Sequence, residues 1–392
     1  IADAITEEMG APKSLSMSGQ AGSGYRLFKT AIETLKHFKF TDQQDNMTII
    51  KEPIGVCGFI TPWNWPINQI ACKLAPALAT GCTVVLKPSE VAPFSAQLMM
   101  EVLDEAGVPK GVVNMIQGDG PTVGSAISKH PDIDMVSFTG STRAGVLVAQ
   151  DAATTIKRVT QELGGKSANI ILDDLDETQF QKAIAAGVKS LVNNSGQSCN
   201  APSRMFVPEH LLAQAEQIAT QTMNSIQLGD PQLEGNFIGP VVSETQYQRI
   251  QRLIETGISS QAKLLAGGAG KPEGFEAGYY VKPTLFSNVT NDMQIAQEEI
   301  FGPVLCILSY KDDEEAIKMA NDNPYGLSGY VSGVDHDRVM NVATKLRAGN
   351  IHVNGGNMTS NSPFGGYKQS GNGRERGEFG FDEFLEIKAI LT

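Results

Sequence analysis

From residue 54 to 162 the chain alternates short β-rich runs with segments whose apolar residues recur at helical spacing, each pair punctuated by Gly or Pro. This rhythm constrains the fold most, because parallel strands can be joined only by crossovers long enough to hold a helix. VCGFI (56–60), TVVLK (83–87), GVVNMI (111–116), DMVSF (134–138) and IKRVTQEL (156–163) read as strands. IACKLAPALAT, PFSAQLMMEVLDEAG, PTVGSAISKH and STRAGVLVAQDA read as the helices between them. The expected class is α/β, built on a doubly wound open sheet. A second alternating series runs from NIIL (169–172) to about Asn354, with helices near 178–193, 208–226, 243–258 and 312–322 and strands at RMFV and GYVSG. It predicts a second α/β domain, and 392 residues are enough for two cores.

Two stretches fall outside the rhythm. HFKFT, a polar DQQD linker and NMTIIKE read as two strands projecting as an arm, and the final FLEIKAIL alternates like a strand with nothing downstream to pair with. An unpaired terminal strand is expected to find a partner chain, so an oligomer is anticipated. GGAGKPEGFEAG (267–278) reads as the most flexible loop.

Composition narrows the function. Hydrophobic residues at 41% and charged residues at 19% describe a folded globular chain. A net charge of −12 with no basic run removes the footprint that nucleic acid requires. No apolar stretch approaches the roughly 20 residues needed to cross a bilayer. Cys57, Cys72, Cys82, Cys199 and Cys306 form no CxxC pair and no cluster at metal-ligand spacing, so no metal is expected and reduced thiols in a cytoplasm fit best. The stretch beginning at Ile1 already reads as helix interior, and the expectation is that a preceding segment is missing.

Candidate chemistry starts at Cys199 in NNSGQSCNAPSR, where Gly196 and small polar neighbours free the backbone to bring a thiol into a cleft. Cysteine is the strongest protein nucleophile near neutral pH, although a buried small hydrophobe is its commoner role. Glu162 in QELGGKS ends a strand, where α/β sheets bind ligands, or else is a surface carboxylate before a turn. Asn64 in TPWNWP is enclosed by the chain's two tryptophans; its amide is either a rigid oxyanion donor or a turn-former.

Cofactor candidates are weaker singly. Gly118, Gly120 and Gly124 stand as GxGxxxG rather than the GxGxxG of a dinucleotide fingerprint. Gly140 and Ser141 in SFTGSTRAG sit at a strand-to-helix junction suited to a pyrophosphate, or serve as a plain N-cap. Lys87 and Glu90 of KPSE could reach ribose hydroxyls or be loop charges. A carboxylate repels a 2′-phosphate, so Glu90 tilts the cofactor towards NAD, while Lys87 keeps NADP possible.

TPWNWP, KPSE, FTGST, ELGGKS, GQSC, EEIFGPV and PFGGYKQSGNGRE occur together in this order, and the series resembles the aldehyde dehydrogenase superfamily over essentially the whole chain. By that resemblance Cys199 is the nucleophile, Glu162 the general base, Asn64 the oxyanion donor, and Lys73 and Glu375 a route for protons. The cofactor would be held by Ile60, Trp63, Lys87, Glu90, Gly120, Gly124, Phe138, Gly140, Ser141, Leu163, Arg249, Glu299 and Phe301. Trp65, Gln69, Ser198, Asn200 and Phe364 would line an aldehyde funnel without a clear charge anchor. Segments 1–32, 53–165 and 370–384 would form the NAD(P)-binding domain, 166–369 the catalytic domain, and 33–52 with 385–392 the arm and tail of a homodimer or homotetramer. The implied reaction is oxidation of an aldehyde to the acid through a thioester. Its rivals are a CoA-acylating relative, which typically lacks the Glu of ELGG, and an inactive oligomeric homologue.

Overall fold

The structure, a computed structural model, describes residues 1–235 and 237–392. A six-stranded sheet runs in the order Gly371–Asn372, Arg158–Glu162, Met135–Thr139, Val56–Ile60, Thr83–Lys87, Val113–Met115, parallel except at the first edge. Alternate residues of its strands enter different cores. Cys57, Phe59, Val84, Leu86 and Met135 pack on one side, and Ile60, Val136 and Phe138 on the other. Burial on both faces is what makes the strands read as apolar runs.

The second sheet has seven strands: Lys263–Ala266, Thr284–Ser287, Val304–Tyr310, Arg204–Pro208, Ala168–Ile171, Ser328–Ser332 and Asn350–Val353. Only the Lys263–Ala266 edge is antiparallel. The division by face repeats, with Phe206, Cys306 and Leu308 on one side and Met205, Val207, Leu305 and Ile307 on the other. The chain is therefore α/β with two doubly wound units, as its rhythm predicts.

Three local expectations need correction. The first arm strand is Thr41–Gln44, laid over the supposed linker, and it turns at Asp45, whose φ is 43°, into Met47–Pro53. Aromatic packing draws HFKFT out of the strand: the Phe38 ring stands 4.9 Å from Phe40 and 5.2 Å from Phe381. The tail does pair within its own chain, because Leu385–Leu391 runs antiparallel along all of Met47–Pro53. It still forms the outer edge of that three-stranded sheet. PTVGSAISKH opens as a wide turn over Gly120–Gly124, capped by the Asp119 carboxylate accepting from Thr122 N at 2.8 Å, before the short helix Ser125–Lys129. No helix of the described residues is long and apolar enough to cross a membrane.

Candidate active site

The C-terminal ends of the first sheet's strands converge on one cavity of about 630 Å³. Ligands bind at this edge of open α/β sheets because the loops after the strands diverge there. Pro62, Trp63 and Asn64 follow Val56–Ile60; Gly140 and Ser141 follow Met135–Thr139; Glu162, Leu163 and Gly164 close Arg158–Glu162. Cys199 enters from the second unit, with Gln246, Arg249, Glu299 and Phe301.

Glycines explain how two units meet so closely. A Cβ on Gly165 would lie 2.2 Å from the Cys199 carbonyl oxygen, and one on Gly164 would lie 2.5 Å from a Glu299 carboxylate oxygen. The pair in ELGG is thus where the thiol's backbone and Glu299 come in. Beyond the helix Glu177–Val192, Asn194, Ser195 and Gly196 all take left-handed φ of 53°, 56° and 74°, turning the chain towards Cys199. Gly196 packs on the second unit's own EEIFGPV segment, where its Cβ would be 2.2 Å from the Gly302 carbonyl carbon.

Asn64 is fixed by polar contacts rather than by the tryptophans alone. Its backbone carbonyl accepts from Gln20 Nε2 at 3.1 Å and Asn194 Nδ2 at 2.9 Å, and its own Nδ2 donates to the Gln197 carbonyl at 3.2 Å. A primary amide has two N–H groups, so one is left for a ligand. Gln197 in turn accepts from Val242 N at 2.9 Å and donates to the Asn194 carbonyl at 3.1 Å. Gln20, Asn194 and Gln197 were not singled out in the sequence; the NNSG turn chemistry was the available signal for Asn194.

Electrostatics here are dominated by burial. The Cys199 thiol is pushed up to about 12 by burial and by the nearby Glu299 and Glu162 carboxyls. Glu162 is raised well above the usual carboxylate range by burial and then by Glu375, and its Oε2 has no partner. Glu299 is pushed up to about 7 by burial, opposed by its bond from Gly165 N at 3.0 Å and by Arg249. A second, small cavity of about 280 Å³ joins Glu162 to Lys73 and Glu375. Burial pulls the Lys73 ammonium down, yet its ion pair with Glu375 outweighs that and raises it.

Residues of the remaining assignments scatter more. Ser141 caps the helix Thr142–Ala152, accepting from Ala144 N at 3.3 Å. Phe301 adopts φ 59° and meets Trp63 edge-on, with ring centroids 5.5 Å apart. Arg249 donates to the Glu299 carbonyl at 2.7 Å while its buried Nε is unpartnered. Ile60 and Phe138 lie beneath the cavity in the core with Leu163, and Gly120, Gly124, Lys87 and Glu90 are outside its lining. Buried Lys87 donates to Glu90 at 3.0 Å, so these two charges satisfy one another.

On the other side of Cys199, Trp65 Nε1 donates to Ser198 Oγ at 2.9 Å, Gln69 is buried with an unpartnered Oε1, and the Asn200 carbonyl accepts from Tyr330 at 2.9 Å. Phe364 is buried and bridges to Glu375. Among the described residues no group of three or more His, Cys, Asp or Glu side chains could hold a metal ion.

A dinucleotide-type sheet edge facing a thiol delivered by a second unit defines the class: an α/β protein with a cysteine at the edge where such sheets bind ligands. Comparison with known proteins is more particular. The chain matches the family model described as "Aldehyde dehydrogenase family" over residues 1–390, and it belongs to that family. It is 55% identical over 392 residues to a 3-succinoylsemialdehyde-pyridine dehydrogenase of Pseudomonas sp., covering 100% of this chain and 82% of that one. A mutant of aldehyde dehydrogenase C from Pseudomonas syringae, solved with NAD+ and octanal, superposes with a TM-score of 0.98 at 51% identity, covering 100% of this chain and 80% of that one. The NAD+ complex of an aldehyde dehydrogenase from Bacillus cereus gives 0.95 at 38% identity, with 100% and 79% covered.

Proposed function

We propose that the chain oxidises an aldehyde to the carboxylic acid with NAD+, through a thioester on Cys199. The observation that carries this reading is that Cys199, Glu162 and Asn64 share one cavity with a helix N-terminus, Arg249, Glu299 and Phe301. That lining fits a dinucleotide. Ser141 and the free N–H groups of Thr142–Ala152 suit a phosphate, and Glu299 and Phe301 suit a ribose and a flat ring. NAD+, when bound, supplies the hydride acceptor.

The protein's own residues do the rest. Cys199 sulfur adds to the carbonyl carbon, and the free N–H of Asn64 with the Cys199 backbone N–H holds the oxygen that gains charge. The thiol gives up its proton as its sulfur adds, and ionised Glu162, with its unpartnered oxygen, is the group available to take it. After oxidation Glu162 takes a proton from the water that hydrolyses the thioester. Lys73 and Glu375, across the small cavity, carry each proton away in turn, the thiol's before the water's is taken. Retention of Glu162 favours water over coenzyme A as the acyl acceptor.

Lys87 and Glu90 are assigned to the adenosine ribose, and the Glu90 carboxylate favours NAD+ over NADP+. Domain limits of 1–32, 53–165 and 370–384, of 166–369, and of an arm at 33–52 and 385–392 accord with the three sheets. The arm's outer strand exposes Ile387 and Leu391, more than two-thirds accessible, which supports a homodimer or homotetramer. Five free cysteines suit the reducing cytoplasm. The test is NADH formation with aliphatic, aromatic and semialdehyde substrates, run in parallel with NADP+. A purified protein inert to all of them overturns the proposal.

A further inference from the structure

We infer that Arg376 is an anchor for an anionic group at the far end of the substrate, so that the preferred aldehyde carries a carboxylate. This rests on the aldehyde-oxidation reading above and goes beyond it by naming a substrate class. The helix Pro66–Ala79 begins directly after Trp65, which is tied to Ser198 beside Cys199. Trp65, Gln69 and Cys72 stand at i, i+4 and i+7 and so follow one face away from the thiol. At Cys72 that face reaches a narrow hollow also lined by Ser360, Arg376, Gly377 and Phe381. Seven residues of helix cover about 10 Å.

Arg376 is the arginine in this neighbourhood without an oxygen acceptor among the described residues. Glu375 is taken by Lys73 and by the Cys72 thiol, which donates to it at 3.0 Å. Arg374 donates to the carbonyls of Gly366 at 3.2 Å and Gly373 at 2.6 Å. The Arg376 guanidinium lies 5.0 Å over the Phe364 ring and donates only to the Met358 sulfur, at 2.7 Å. It forms no ion pair among the described residues. A guanidinium has five N–H donors, and a thioether is a weak acceptor. Of its two partnerless nitrogens, Nε is sealed and Nη2 is not. The backbone holding it has φ 77°, ψ 154°, which an L-residue rarely adopts and which places strain at this position. A neutral aldehyde leaves Nη2 unpaired, whereas a carboxylate accepts a charge-assisted bond from it.

The experiment compares kcat/KM for 6-oxohexanoate with that for hexanal. The expected ratio exceeds one in the parent, falls about 10- to 100-fold in Arg376→Gln, and is partly restored in Arg376→Lys. Any influence of Arg376 on Glu162 acts on both aldehydes and cancels in the ratio. A parent ratio below one, or a ratio unmoved by Arg376→Gln, overturns the assignment. Should Arg376→Gln fail to fold, adipate against hexanoate as competitors of hexanal in the parent decides: about tenfold tighter inhibition by adipate supports the anchor, and equal inhibition overturns it. A parent that turns over neither aldehyde instead breaks the oxidation reading, a distinguishable result.

Discussion

The two sides of Cys199 are built differently. Towards Trp63, Glu299 and Phe301, backbone elements are locked to within a Cβ of collision, as at Gly164 and Gly165, and Glu299 is held by a backbone N–H. Towards Gln69, Met358 and Arg376 the contacts are looser: Gln69 Oε1 lacks a partner, as Arg249 Nε does on the first side, but here a guanidinium also rests on a sulfur with no oxygen acceptor. The first side is fitted to one arrangement of chain and cofactor; the second is left to be completed by what binds. Reaction chemistry and substrate choice therefore sit on different physical footings, and the predictions separate them.

The largest effect is expected at the shared centre. Cys199→Ser should reduce NADH formation by about three orders of magnitude or more with every aldehyde, since a hydroxyl is a far poorer nucleophile. Steady turnover by the serine variant would place the nucleophile elsewhere. Glu162→Gln should come next, slowing turnover about 10²- to 10⁴-fold and leaving an acyl adduct visible by intact-mass analysis. Both substitutions should act alike on carboxylated and neutral aldehydes, in contrast to Arg376→Gln.

Glu162 also fixes the sign of a pH effect. Its carboxyl is raised in the folded chain, first by burial and then by Glu375, so the folded state binds that proton more tightly than the unfolded one. Stability from this group is fully present below the ordinary carboxylate value and is lost as pH rises through the raised value. Thermal unfolding of Glu162→Gln should therefore show a shallower decline with rising pH than the parent. Parallel curves would mean that the Glu162 carboxyl is not raised in the folded chain, and the late-rising pH limb expected of it as a base would go with that shift.

The packed side can also be broken through its glycines. Gly196→Ala meets a positive φ of 74° and a carbonyl carbon at 2.2 Å, and should destabilise by about 1–3 kcal/mol while displacing Cys199. Gly120→Ala meets nothing within 4 Å at negative φ, so denaturant unfolding should be within about 0.5 kcal/mol of the parent. If Gly120→Ala nevertheless weakened NAD+ binding, the glycine would be needed for close approach of the cofactor rather than for the fold.

How much of this was legible follows the same division. Strands buried on both faces, such as Met135–Thr139 and Arg204–Pro208, announce themselves as apolar runs, and the strand ends then locate Glu162, Ser141 and Asn64. HFKFT was misplaced because its aromatics are recruited by Phe381, a partner more than three hundred residues away that periodicity cannot register. Gln197 and Gln20 escaped notice because their work is to bond backbone carbonyls and amides across the fold. Arg376 reads in sequence as one more charge in GRERGE; only the pairing of its neighbours, Glu375 with Lys73 and Arg374 with carbonyls, leaves it unmatched.

The smallest expected effect lies at the far end of the packed side, where Lys87 and Glu90 neutralise each other at 3.0 Å. Lys87 is buried and Glu90 is half exposed, so removing the carboxylate leaves an ammonium with one remaining acceptor, the Pro88 carbonyl at 2.9 Å. A 2′-phosphate would then meet an attracting charge where it had met a repelling one. Glu90→Ser should accordingly shift the ratio of kcat/KM for NAD+ over NADP+ towards NADP+ by about fivefold, the size of one solvent-accessible charge contact of about 1 kcal/mol. The 6-oxohexanoate to hexanal ratio should stay put, because Glu90 lies on the opposite side of the thiol from Arg376. An unchanged dinucleotide ratio would remove both residues from the ribose, and a shift in both ratios together would mean that the two sides of Cys199 are coupled after all.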